Sequence, residues 1–298
     1  NTKYRTKYNA ITAYLLNTKA NTTKKIDRIK LRLFSKYTYD NNDILSADWS
    51  KLNRNDVLSF IEYKKESIQF NTVNGYLTTL KALAYSCFEQ GAITQQTYFS
   101  IKGIKPYRGI AADKGRALSL KEINKIKTHF SNPKNGRDYR NFAIFALAVG
   151  CGLRRNEIST LNIENVSGKK LHVIGKGNKA RVTYLSKFTL DAVNGWLNQL
   201  TRKKGPLFVH ITAGDKIKPD RLGIKGIHYV IDSIQQKVKT RAFTTHDLRR
   251  TFATTLLSAN TDIFTVQNLL GHSDPMTTKR YDKRGESGKI RAVNSLPF

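Results

Sequence analysis

At 298 residues the chain is long enough for two domains of ordinary size, and a hydrophobic share of 39% provides a core for each, which excludes a disordered protein. Lys and Arg number 52 against 22 Asp and Glu, a formal net charge of +30 spread along the chain rather than gathered in a tail. So large an excess repels itself unless a polyanion of large footprint neutralises it.

The stretch from Asn1 to Lys25 is polar and Lys-rich, without the apolar segment of a leader peptide, and no apolar run is long enough to cross a membrane. A cytoplasmic, nucleoid-associated protein with no membrane partner is expected. The first residue is not Met, so native residues are expected before it. Cys87 and Cys151 lie far apart, outside any Cys-x-x-Cys spacing, which argues against a disulfide framework or a zinc finger.

Residues 1–105 are predicted to form a helical domain. Ile26, Ile29 and Leu33 recur at helical spacing, as do Val57, Leu58 and Ile61. Between Thr72 and Glu89 a further stripe carries Val73, Tyr76, Leu77, Leu80, Leu83 and Ala84. Gly103, Pro106, Gly109 and Gly115 then interrupt the pattern, and residues 106–117 are read as an interdomain linker.

The second domain is assigned to residues 118–298. Ser119 and Glu122 have the spacing of a capping box. Asn141 to Val149 is apolar nearly all round, as a buried helix would be. Lys170 to Ile174 and Arg181 to Leu185 are predicted strands of a hairpin turning through Gly175-Lys-Gly-Asn-Lys179. Helices are predicted near Phe188 to Leu200, Ile227 to Val238, His246 to Ser258 and Asp262 to Leu270. The expected fold class is therefore mainly α with a small antiparallel β-sheet.

Several residues carry chemical potential, each with an ordinary alternative. Arg154 and Glu157 share one helix face, which alone reads as a surface ion pair, yet they follow a buried helix and a Gly-x-Gly turn that would present Arg154 on a concave surface. Lys176 sits at the hairpin tip, where a lysine is usually just solvated. His246 and Arg249 lie one turn apart near a helix N-terminus, where a phosphate is favoured, although a buried His satisfied by backbone is the other reading. Arg250 points about 100° away, toward a DNA-backbone or a structural contact. Gly271 reads as a helix C-cap that would aim His272. Tyr281 is one of fourteen tyrosines and, out of context, reads as packing.

Taken in order, Arg154, Lys176, His246-x-x-Arg249, His272 and Tyr281 reproduce the pattern of the tyrosine recombinases, the phage integrase family. Gly175 to Lys179 and Leu270 to His272 most resemble its compact Xer-like members, and Thr72 to Pro106 looks like the end of the family's N-terminal core-binding domain. The resemblance implies a helical core-binding domain and an α+β catalytic domain forming a C-shaped clamp on duplex DNA. It also implies strand exchange through a 3′-phosphotyrosine and a Holliday junction, with no metal, nucleotide or other cofactor.

In that scheme Tyr281 is the nucleophile, and Arg154 and Arg249 hold phosphate oxygens bidentately. His246 and His272 add hydrogen bonds, with His246 also a candidate base, while Lys176 is the candidate general acid and Glu157 supports the site. Arg155, Lys179, Arg181 and Arg250 are expected DNA contacts. The family's assembly, four protomers on two duplexes, implies that the apolar tail of Val293, Leu296 and Phe298 docks on a neighbour; the other reading folds it back on its own domain. The high charge and the Arg155-Asn156 pair point to a mobile-element member rather than a housekeeping one, with chromosome or plasmid resolution the other task in view. A type IB topoisomerase and a non-catalytic DNA-binding accessory protein are the competing functions.

Overall fold

The structure, a computed structural model, describes residues 9–18, 20–109, 115–272, 275–279, 281–282 and 294. The chain divides into two compact units, Asn1–Ala112 and Asp113–Phe298.

The first unit is helical: α1 (Ala10–Asn17), α2 (Asn21–Tyr39), α3 (Arg54–Lys65), α4 (Phe70–Glu89) and α5 (Gln95–Lys102). Side-chain oxygens of Asn9, Asn53 and Thr94 accept backbone N–H bonds at the starts of α1, α3 and α5, satisfying donors that a helix end leaves unpaired. The α4 stripe buries Val73, Leu77, Leu80, Leu83 and Ala84 against Leu31, Phe34 and Phe60.

On α2 the expected face is corrected. Ile26, Ile29 and Leu33 are exposed, and the buried side carries Asp27, Leu31, Phe34 and Ser35. The reason is Asp27, whose carboxylate accepts the Tyr14 hydroxyl at 2.7 Å and the Thr79 hydroxyl at 2.9 Å. A buried carboxylate supplied with donors can occupy a core position that hydropathy alone would deny it.

The second unit combines helices with two small antiparallel sheets, a mainly helical fold as expected. Helix α6 (Leu120–His129) starts with the Ser119–Glu122 capping box. Helix α7 (Gly136–Gly150) is the core helix, with Ala143 through Ala148 fully buried. Short α8 (Arg155–Thr160) leads into β1 (Val166–Ser167), β2 (Lys170–Ile174) and β3 (Ala180–Tyr184).

In the β2–β3 hairpin Lys170 pairs with Tyr184 and Ile174 with Ala180, so Leu171 and Val173 face the core while His172 and Ile174 face out. The turn closes with the Gly175 N–H donating to the Lys179 carbonyl at 2.8 Å, and Gly177 and Asn178 adopt the left-handed conformation that the reversal needs.

Helix α9 (Lys187–Leu197) precedes a second hairpin, β4 (Val209–Ile211) and β5 (Ile217–Arg221), which the sequence pattern did not announce. Pro219 within β5 argues against a strand unless, as here, the strand lies at a sheet edge. Asp215, in the turn of this hairpin, accepts the backbone N–H groups of Gly136 and Arg137 at the start of α7. Then follow α10 (Ile224–Val238), α11 (Thr245–Ser258), α12 (Ile263–Leu270) and α13 (Pro275–Lys279).

Both cysteines are buried, one in each unit, and burial pushes each thiol up to about 12. Among the described residues no helix is long and apolar enough to cross a membrane.

Candidate active site

The site is organised by a carboxylate. Glu157, 2% exposed, sits on the third residue of α8, where its Oε2 accepts the Arg154 backbone N–H at 2.8 Å and so caps the helix. Its Oε1 accepts Arg154 Nη1 at 2.8 Å. From β3, Arg181 adds a bidentate pair, Nη1 to Oε1 and Nη2 to Oε2, both at 2.9 Å. Arg249 Nη1 stands 3.8 Å from Oε2. Burial works to raise the Glu157 pKa, but hydrogen bonds from Arg181 and the Arg154 backbone outweigh it and hold the carboxyl below its usual range.

Two guanidiniums also fix the end of α12. A helix leaves its last carbonyls without partners. Here the Leu269 carbonyl accepts Arg181 Nε at 3.0 Å and the Leu270 carbonyl accepts Arg249 Nη2 at 2.7 Å. Arg249 spends a further donor on the Gly152 carbonyl at 2.7 Å. Gly271 then turns the chain with φ of 63° and with Arg181 Cδ about 3.0 Å from where a Cβ would stand, so both conformation and space call for glycine. His272 follows directly.

The cationic cluster perturbs its members. Arg249 is 1% exposed; burial, and then the charge of Arg154, push it down to about 9, which leaves it protonated at neutral pH. His272 falls to about 4 through burial and the charges of Arg249 and Arg154. His246, the second residue of α11, is lowered by partial desolvation and by Arg249 and Arg250. Both imidazoles are therefore neutral at pH 7.

A cleft of about 550 Å³ opens over this cluster, lined by Arg154, Arg155, Thr245, His246, Arg249 and also His228 of α10. Tyr281 lies in the same unit, 4% exposed, against Ala253, Leu257, Val266 and Leu270. Its ring centroid is 6.1 Å from that of His272, and the Arg250 guanidinium lies 5.7 Å from its centroid.

Of the residues singled out from sequence, Arg154, His246 and Arg249 line one cleft, Glu157 is paired with Arg154 and stands 3.8 Å from Arg249, and His272 and Tyr281 lie beside each other past the end of α12. Arg155 and Lys179 are exposed. Arg181 and Arg250, expected on the DNA, are instead drawn inward: Arg181 is engaged by Glu157 and Leu269, and Arg250, 9% exposed, donates to the Gly115 carbonyl at 2.9 Å. The Lys176 backbone lies in the hairpin turn, while its side chain is outside the described part of the structure, as are Val293, Leu296 and Phe298. Sequence reasoning missed His228 and Thr278. The only signal for His228 was its place one helical turn after Ile224, which also lines the cleft.

Residues 116–286 match the Phage integrase family. Over 269 residues the chain is 30% identical to the tyrosine recombinase XerC of Actinobacillus succinogenes, covering 85% of this chain and 88% of that protein. It is 33% identical over 188 residues to XerC of Caldanaerobacter subterraneus subsp. tengcongensis, where the match covers 61% of this chain and about half (51%) of the relative. Among solved structures, XerH site-specific recombinase bound to a palindromic difH substrate superposes with a TM-score of 0.69 at 19% identity, covering 96% of this chain and 88% of that one. A lambda integrase (75–356) dimer bound to a COC′ core site gives 0.68 at 14% identity, covering 93% and 95%. At these identities the structural likeness is one of fold.

Proposed function

The chain belongs to the phage integrase family, and from that premise we propose that it is a site-specific tyrosine recombinase that cleaves and rejoins duplex DNA through a 3′-phosphotyrosine and a Holliday junction. The observation that carries the reading is the buried Glu157 hub, which holds guanidiniums from three separate chain segments beneath one cleft, with His272 and Tyr281 alongside.

In this reading the scissile phosphate enters the cleft. Arg154, whose side chain is 37% exposed and spends one N–H on Glu157, offers its remaining donors to the non-bridging oxygens. Arg249, deeper and anchored by two carbonyls, supplies fixed positive charge. The Tyr281 oxygen bonds to phosphorus while the bond to the 5′ oxygen breaks. The phenol proton passes to neutral His246, and the leaving 5′ oxygen takes a proton from Lys176. The energy of the phosphodiester is kept in the phosphotyrosine, so a 5′-hydroxyl can reverse the step. His272 donates a hydrogen bond to the phosphate, and Glu157 with Arg181 holds the frame.

Outside the cleft, Arg155, Lys179 and the general excess of Lys and Arg supply phosphate contacts, with strongly salt-dependent affinity. The helical first unit serves as the core-binding domain. The assembly is a homotetramer on two duplexes, with the tail of Val293, Leu296 and Phe298 docking on a neighbour. The site of action is the cytoplasm, at the nucleoid, and the charge favours a mobile element.

Footprinting on the DNA flanking the gene locates the site, and a nicked duplex carrying it then tests the chemistry. The expected result is a protein–DNA adduct on a denaturing gel that Tyr281→Phe abolishes while binding persists. An adduct surviving in that variant would refute the assignment.

A further inference from the structure

Thr278 stands out among the residues no role has absorbed. Its hydroxyl is fully buried and lies 2.8 Å from His272 Nδ1, and its carbonyl accepts the backbone N–H of Tyr281 at 2.9 Å. One residue thus touches both His272 and the turn that carries the tyrosine.

We propose that Thr278 is a positioning residue: its hydroxyl donates to His272 Nδ1, which places the single proton of the neutral imidazole on Nε2, the nitrogen left to donate to the scissile phosphate. The proposal rests on the recombinase reading for the last clause only. A neutral imidazole carries one N–H, and the bond made by one nitrogen decides what the other can do. A separation of 2.8 Å fits either direction of donation, and the choice follows from the hydroxyl hydrogen. It is buried, and among the described residues Nδ1 is the only partner of Thr278 Oγ1. Were Nδ1 the donor, that hydrogen would find no acceptor among the described residues, and Nε2 would turn a lone pair rather than a proton toward a phosphate.

The surroundings agree. Burial, and after it the charges of Arg249, Arg154 and Arg181, disfavour an imidazolium, so His272 cannot offer both nitrogens as donors and depends on having the right tautomer. The Thr278 contact requires α13 to be docked beside His272, and Tyr281 comes two residues after α13 ends. The same bond that prepares the imidazole therefore exists only when the tyrosine segment is in place.

The test compares Thr278→Val, which keeps the shape and loses the donor, with Thr278→Ser, which keeps the donor, both in the full chain. Nitrogen-15 NMR of His272 should report the Nε2–H tautomer in the parent and the Ser variant and a mixture in the Val variant. Single-turnover adduct formation on the footprinted nicked duplex should slow about tenfold in Val alone, the loss expected from one orienting hydrogen bond, with DNA affinity unchanged. A parent carrying its proton on Nδ1, a Val variant equal to the parent, or equal losses in Val and Ser would each overturn the proposal. If the parent formed no adduct, the recombinase reading would fail while the tautomer measurement still decided what Thr278 does.

Discussion

Replacing Glu157 by Gln removes one charge from beneath three guanidiniums with little change of shape, and its cost can be worked out contact by contact. The Arg154 side chain is 37% exposed, so its ion pair is partly screened and contributes under about 1 kcal/mol. Arg181 is different: its side chain is 11% exposed and its bidentate pair with Glu157 is buried. Leaving such a partner uncompensated costs about 3–5 kcal/mol, toward the lower end here because Gln keeps one acceptor. Arg249, 1% exposed, loses its nearest negative charge as well. A destabilisation of about 3 kcal/mol is therefore expected in the second unit. Urea unfolding measures it. The chain has two tryptophans, and Trp196 is fully buried in the second unit, so its fluorescence in a Trp49→Phe background follows that unit alone. The midpoint should fall without a change in slope. Because the folded-state pKa of Glu157 is lowered, its stabilisation is complete above the unfolded value of about 4.3 and is lost as pH falls through the folded one. The gap between parent and Gln variant should hold from neutrality down to that range and close below it. A gap under about 1 kcal/mol at pH 7, or one that persists unchanged into acid, would refute the view of Glu157 as the electrostatic hub.

Gly271→Ala should cost at least about 1 kcal/mol in the same titration, since alanine is strained at positive φ and its Cβ meets an Arg181 side chain that cannot move away. An unchanged midpoint would show that Arg181 gives way. Lys176→Ala should slow cleavage of an ordinary duplex by about 10²-fold or more, and should be rescued when a 5′-bridging sulfur makes the leaving group independent of a proton donor. Equal losses on both substrates would remove Lys176 as the acid. Adduct formation should be flat near neutrality and decline only below the ordinary histidine range, because His246, the proposed base, has a lowered pKa and would be disabled by protonation. A decline setting in above pH 7 would contradict that role.

What could be read beforehand was whatever local chemistry dictates. The Ser119–Glu122 box, the nearly all-apolar second half of α7, the β2–β3 hairpin and the left-handed Gly271 all follow from nearest neighbours in the chain. The misread features are those decided by distant partners. The buried face of α2 depends on Tyr14 and Thr79 reaching Asp27. Hairpin β4–β5 tolerates Pro219 because it forms an edge. Arg181 looks like any basic residue of a hairpin until a buried carboxylate is found waiting for it. Thr278, second of an adjacent Thr pair, is distinguished from Thr277 only by which helix face meets His272.

The charge within the cluster bears on why such a site would cleave rather than merely bind. Arg154, Arg181 and Arg249 against Glu157 leave two net positive charges, with His246 and His272 neutral. A phosphodiester in its ground state brings one negative charge and leaves the cluster under-neutralised. In the proposed step the phenol proton passes to His246, so the negative charge that gathers on the phosphate oxygens near the five-coordinate transition state faces an imidazolium as well as the guanidiniums. Because the guanidiniums are already held by Glu157 and by carbonyls of Gly152, Leu269 and Leu270, they need no reorganisation when that charge develops. Interactions that strengthen only as the reaction proceeds lower the barrier instead of deepening the substrate well. Glu157 thus makes the crowding of three cations bearable and keeps them where that charge would gather.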